Sequence, residues 1–241
     1  MPGIYKDEGI VLKTIKLGEA DRIITLFTRD NGKVRAVAKG IRKTKSRFGG
    51  RLEPFTRAAL IVYRGRNLDT ITSADILTSF RVVREDYARL TAAATLAEIV
   101  EKITPEDERS FSVFALLNGG LEALTVHGPS TIVPAFLIKL LSLSGYHPQL
   151  GSCAGCGDRG PLQAFSPALG GAVCEPCARE DRNSFALARD RLELLSRLLR
   201  ADFGVAADGD ATFEVTGALR RYAEYHIERP LRSLQLAARA G

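Results

Sequence analysis

The chain has 241 residues, 45% of them apolar, which is enough for one large domain or two to three smaller ones. Met1–Glu8 offers no apolar leader, and the longest apolar stretch, near Ile132–Leu143, is broken by Pro134, Lys139 and Ser142. A secretory signal and a membrane span of roughly 20 apolar residues are therefore not expected, and a cytoplasmic protein is. The net charge of +6 is uneven: residues 1–80 carry 16 Lys/Arg against 8 Asp/Glu, and the remainder 18 against 20. A basic domain joined to a near-neutral one implies a polyanionic partner for the basic part.

In chain order, five runs rich in Ile, Val, Thr and Phe come first: Ile10–Leu17, Arg22–Thr28, Lys33–Lys39, Ala58–Tyr63 and Leu68–Leu77. Turn chemistry at Gly18, at Asp30, Asn31 and Gly32, and at Gly65, Arg66 and Asn67 separates them. Five strands in about 70 residues, with one longer connection after the third, fit a small closed barrel. An OB-fold leads, and an SH3-like barrel has a similar strand budget.

The third strand runs into a cationic loop. Residues 33–51 hold Lys33, Arg35, Lys39, Arg42, Lys43, Lys45, Arg47 and Arg51, with no acid. Alternation turns Val34, Ala36 and Ala38 inward and Lys33, Arg35 and Lys39 outward. Gly40, Gly49 and Gly50 would let the loop follow a line of phosphates. Phe48, amid the cations, either stacks on a base or anchors the loop to the barrel.

Near Val82 the period changes. Leu96, Ile99, Val100 and Ile103 mark one apolar helical face, which Pro105 closes. Further helices are expected at Phe111–Val126, Thr131–Leu143, Arg189–Phe203 and Phe213–Glu228, with stops at Gly128 and Pro129, Gly145 and Pro230. Just after Pro105, before the Phe111 helix, lies the one dense acidic run, Glu106, Asp107 and Glu108. It reads as solvated charge and not as a nuclease's carboxylate cluster. With no P-loop either, a non-catalytic protein is expected.

All four cysteines fall in one segment. Cys153 and Cys156 form one C-x2-C pair, Cys174 and Cys177 another, and 17 residues separate the pairs. That spacing fits one structural zinc ion: each pair lets a tight turn aim two sulfurs at one tetrahedral ion, and four thiolates leave no open coordination position. Two disulfides or a redox dithiol fit less well in a reducing compartment with two matched pairs. Glycines 155 and 157 would allow the turn to curl. His127, His147 and His226 read as packing or surface residues. On the later helices, Arg189, Arg197 and Arg200 share a face where Glu193 can pair with Arg197. Arg220 and Arg221, followed by Arg229 and Arg232, are weaker candidates for a second nucleic-acid track.

The stretches Gly32–Val34, Ala38–Arg42, Lys45–Gly50 and Leu52–Phe55 resemble the first domain of the bacterial recombination mediator family RecO. So do the opening Asp7–Leu12 and Gly18–Arg22, and the later order of helices, four cysteines and further helices is similar throughout. The resemblance implies an α+β multidomain chain: an OB-fold at 1–80, a helical domain at 81–150 and 183–241, and a zinc-binding insertion at 151–182. It also implies binding of single- and double-stranded DNA and annealing of complementary strands. The implied partners are RecR, the single-stranded-DNA-binding protein SSB and in some species RecF, in loading RecA onto SSB-coated DNA at the nucleoid. Lys39, Arg42, Lys45 and Arg47 match the family's basic loop. An RNA-binding OB-fold and zinc module is the alternative.

Overall fold

The computed structural model describes residues 3–106, 108–201 and 203–237. They divide after Thr125 into two compact units.

In the first unit, strands β1 (Ile4–Leu17), β2 (Asp21–Thr28), β3 (Gly32–Ala38), β4 (Arg57–Tyr63) and β5 (Asp69–Thr78) close into a barrel in the order β1-β2-β3-β5-β4. Every pairing is antiparallel except β3 with β5. This is an OB-fold. Alternation builds its interior: Ile24 and Leu26 of β2, Val34, Ala36 and Ala38 of β3, and Ala58, Leu60 and Val62 of β4 all face one core. A bulge between Val11 and Lys13 lets β1 pair with β4 through its first half and with β2 through its second.

Strand β1 starts at Ile4, six residues before the apolar run that marks it in the sequence. Its polar opening is possible because the buried Asp7 carboxylate is satisfied. It accepts from the Glu8 amide at 2.7 Å, the Asp30 amide at 3.2 Å and the Asn31 side-chain amide at 2.7 Å.

The long connection between β3 and β4 is pinned inward. Phe48 and Leu52, each 1% exposed, belong to the barrel core. Its last turn carries Phe55 at φ 69°, and a second left-handed phenylalanine, Phe80 at φ 46°, stands between β5 and helix α1 (Arg81–Glu85). Arg84 of α1 holds both turns. One guanidinium nitrogen donates to the carbonyls of Pro54 and Ser79, the residues before the two phenylalanines, and to the Thr56 hydroxyl. Left-handed non-glycine residues cost about 1–3 kcal/mol each and persist where surroundings over-determine them.

Helix α2 (Tyr87–Ile103) is capped by Asp86, which accepts from the Arg89 amide at 2.8 Å. It packs on β1 and covers an outer row of the barrel, Ile10, Phe27 and Lys33, which are register partners. Helix α3 (Phe111–Val126) joins through Asn118, which accepts from Arg57 at 3.3 Å, and through Phe111, whose ring centroid lies 5.2 Å from the Arg29 guanidinium carbon.

In the second unit, helix α4 (Ile132–Leu143) is buried on nearly all sides, with Pro134 tolerated in its first turn. Helices α6 (Arg189–Arg200) and α7 (Gly209–Ile227) pack against it, and α8 (Arg232–Ala237) follows. Helix α6 ends at Arg200, short of the expected Phe203, where Lys139 of α4 donates to the carbonyls of Leu199 and Ala201 at 2.8 and 2.7 Å. Helix α7 begins four residues before Phe213 because Asp208 caps it, accepting from the Ala211 amide at 2.7 Å. A small sheet ordered β7-β6-β8 is made of β6 (Ala164–Ser166), β7 (Gly171–Val173) and β8 (Phe185–Ala186), with helix α5 (Glu175–Glu180) between β7 and β8.

Candidate nucleic-acid interface and metal centre

Strand β3 and the connection after it carry eight of the first unit's cations, with no acid between Lys33 and Arg51. Arg35, Lys39, Arg42, Lys43, Lys45 and Arg47 are all exposed. Among the described residues none of the six has a carboxylate partner. The loop is shaped by short bonds rather than left slack. The Arg42 amide donates to the Ala20 carbonyl at 2.9 Å, its guanidinium to Gly18 at 3.1 Å, and the Gly40 amide to Asp21 at 2.7 Å. Two turns follow, from Lys43 to Gly40 and from Ser46 to Lys43, and Gly40 takes φ 71° at the first.

Two members of the expected set belong elsewhere. Lys33 faces outward as alternation requires, but its side chain is only 3% exposed. Its ammonium donates to the carbonyls of Glu101 and Thr104 at the end of α2, at 2.7 and 2.9 Å, and meets Glu106 at 3.1 Å. It closes the C-terminus of α2, so its charge is held inside the fold and not presented with the loop cations. The rest of that acidic run gives Glu108 in the open, while Asp107 lies outside the described residues. Phe48 is in the core, so the anchoring alternative holds and base stacking by it does not. Arg51 is partly committed: it donates to the Arg47 carbonyl at 2.9 Å and lies 4.0 Å from Asp75.

The register supplies a cation that the sequence did not single out. Lys13 of β1 pairs with Thr25 of β2, which pairs with Arg35 of β3, so Lys13 and Arg35 flank one outer row. Lys13 is half exposed and 3.6 Å from Glu101.

In the second unit, Arg220 is half-buried and Arg221 exposed, with its guanidinium carbon 4.8 Å from the Phe185 ring centroid. Arg229 and Arg232 are exposed. On α6 the ion pair is Arg189 with Glu193 at 3.0 Å, in place of the expected Glu193 with Arg197; Arg197 instead donates to the Ala206 carbonyl.

The four cysteines converge. Their sulfurs all lie within 4.8 Å of one another, and Cys156 and Cys174 are 3.8 Å apart. A tetrahedral ion with sulfurs at about 2.3 Å requires about 3.8 Å between them. The turn from Cys153 is closed by the Gly157 amide donating back to its carbonyl at 2.9 Å, with Gly157 at φ 80°. A Cβ on Gly155 would stand 2.9 Å from the Cys177 sulfur, so any side chain there would push that ligand out of place. Burial opposes ionisation of Cys153, but backbone amides of Cys156, Cys174 and Gly155 outweigh it and bring the thiol down to about 6. Hydrogen bonds with Cys174 and Cys153, and burial, push Cys177 up to about 12. Crowded sulfurs that cannot all ionise together are the donor set a thiophilic divalent cation relieves.

None of the three histidines joins this group. His147 shares a 2.6 Å hydrogen bond with Ser142. His226 packs among Tyr146, Tyr222 and Tyr225, with ring centroids 4.6, 4.7 and 5.3 Å away, and its Nε2 is buried without a partner.

Comparison with known proteins covers both units. A family model described as recombination protein O, N terminal, matches residues 1–80, and one described as recombination protein O, C terminal, matches residues 84–235. Proteins named DNA repair protein RecO are similar over nearly their full length. That of Frankia casuarinae is 43% identical over 98% of this chain and 99% of its own. Those of Nocardioides sp. and Thermobifida fusca are each 42% identical over 98% of this chain and 100% and 99% of theirs.

Proposed function

Because the chain belongs to the RecO family of DNA repair proteins, we propose that it is a DNA-binding recombination mediator. It binds single and double strands through the barrel, anneals complementary strands and helps load RecA onto SSB-coated DNA. Its partners in this reading are RecR, SSB and, where present, RecF, and its place is the cytoplasm, at the nucleoid. Among the described residues no helix is long and apolar enough to cross a membrane.

The observation that carries the reading is the set of six exposed cations, from Arg35 to Arg47, none of which has a carboxylate partner among the described residues. Phosphates are the complementary ligand. Annealing needs no nucleophile: cations that neutralise two backbones lower their mutual repulsion, and base pairing does the rest. The four-thiolate group takes one structural zinc ion, which holds the β6–β8 sheet and α5 together and supplies no reaction step. The residues that would hold it are Cys153, Cys156, Cys174 and Cys177.

The test is fluorescence-monitored annealing of two complementary oligonucleotides, bare and then precoated with SSB. The wild-type chain should accelerate both, and Lys39→Glu with Arg42→Glu should abolish the gain. With six phosphate contacts, log affinity should fall against log salt with a slope of roughly −4 to −5, flattened in the double variant. Equal annealing by wild type and variant would remove the proposed surface. Tighter binding of RNA than of DNA at fixed salt would favour an RNA-binding module instead.

A further inference from the structure

The outer face of β1, β2 and β3 carries an uncovered apolar row. Register pairs Ile15 with Ile23 and Ile23 with Val37, so the three side chains point the same way on adjacent strands. With strands about 4.8 Å apart, the row runs about 10 Å across the barrel. Ile15 is 42% exposed, and Ile23 and Val37 are half-buried. By contrast, the row of Ile10, Phe27 and Lys33 nearer α2 is covered.

The row lies between charges. One step along the strands, about 6.7 Å away, stand Lys13 and Arg35 on either side of the buried Thr25. One step the other way are the half-exposed Leu17 and, past the end of β3, the exposed Lys39. Among the described residues of β1, β2 and β3, no aromatic side chain is exposed on this face: Phe27 is buried.

We propose that Ile15, Ile23 and Val37 form an aliphatic ledge that receives the bases of a single DNA strand while Lys13, Arg35 and Lys39 hold its phosphates. This rests on the DNA-binding reading above and adds a discriminating element to it. An unpaired strand can turn the apolar faces of its bases toward the protein. A duplex keeps those faces in its stack and offers phosphates to a convex surface. The cations therefore serve both forms, and the ledge serves only one. With aliphatic side chains where an aromatic platform would stack, contact is by apolar burial and is indifferent to base identity.

Two variants test this. Ile15→Ser with Val37→Ser should weaken binding of an oligothymidylate about tenfold and leave binding of a blunt duplex unchanged. Should that variant fold poorly, Ile15→Trp keeps the question open to measurement, because the chain contains no tryptophan. Its emission should be quenched by oligothymidylate and not by duplex, with tighter single-strand binding than wild type. Quenching by both forms alike, or by neither, would overturn the ledge. If Lys39→Glu with Arg42→Glu loses both forms while the serine pair loses neither, the ledge is refuted and the DNA-binding reading stands. Wild-type protein that binds neither form removes both.

Discussion

Arg47 and Phe48 are adjacent in the chain and divide its basic loop between them. The phenylalanine ring is 1% exposed in the barrel core, and the exposed arginine lies over it with its guanidinium carbon 4.9 Å from the ring centroid. The pair pins a cationic loop at a fixed place over the barrel, so the charges that follow and precede it are presented rather than trailing free.

The two residues should therefore separate in experiment. Phe48→Ala empties part of the core and should cost about 3–5 kcal/mol of stability, seen as a fall in the denaturation midpoint. Arg47→Ala should leave that midpoint nearly unchanged and weaken DNA binding with a shallower salt slope.

Lys33 should behave as a structural residue despite standing first in the cationic series. Lys33→Met removes the donor from two helix-end carbonyls and the partner from Glu106. The expected loss is about 1–3 kcal/mol in urea denaturation. The salt slope of DNA binding should not move, since no phosphate contact is removed; a flattened slope would place the ammonium at the ligand after all.

For the metal centre, Cys174→Ser should abolish stoichiometric zinc in protein purified without chelator. A chelator should lower the thermal midpoint of the wild type toward that of the variant. DNA binding by the barrel should persist in both. Wild-type protein free of metal under the same purification would refute the assignment.

His226 should make stability depend on pH. Burial holds its imidazole below the ordinary value of 6.5, only partly offset by a hydrogen bond with the Pro167 backbone. The unfolded chain thus takes up a proton that the folded chain does not. This contribution is complete above about 6.5 and is lost as pH falls below it. Acid also strips thiolate-bound metal, so the readout is the difference between wild type and His226→Phe: the variant should lose less stability between neutral pH and pH 5.

What the sequence made legible was local. Alternation announced five strands and even the inward set Val34, Ala36 and Ala38, because period 2 is written in neighbouring residues. The cysteine spacing announced the four-sulfur group for the same reason: the ligands of each pair share one turn. Partners distant in the chain were illegible. Nothing near Asp7 says that Asn31 will satisfy it and so extend β1 to Ile4. Alternation told that Lys33 faces outward but not that α2 covers that outside. The strands β6, β7 and β8, three residues or fewer, are too short for any period to mark. The apolar row at Ile15 emerges only when register aligns three strands.

Arg84 carries a practical consequence for anyone dissecting the chain. The matched family regions meet between residues 80 and 84, yet a fragment stopping at 80 would discard the guanidinium that ties down the Phe55 and Phe80 turns. It would also leave Lys33 facing solvent where two carbonyls now receive it. The smallest piece that keeps its own fastenings runs to about residue 125, and the homology border is a seam in evolutionary bookkeeping that the folded polymer does not respect.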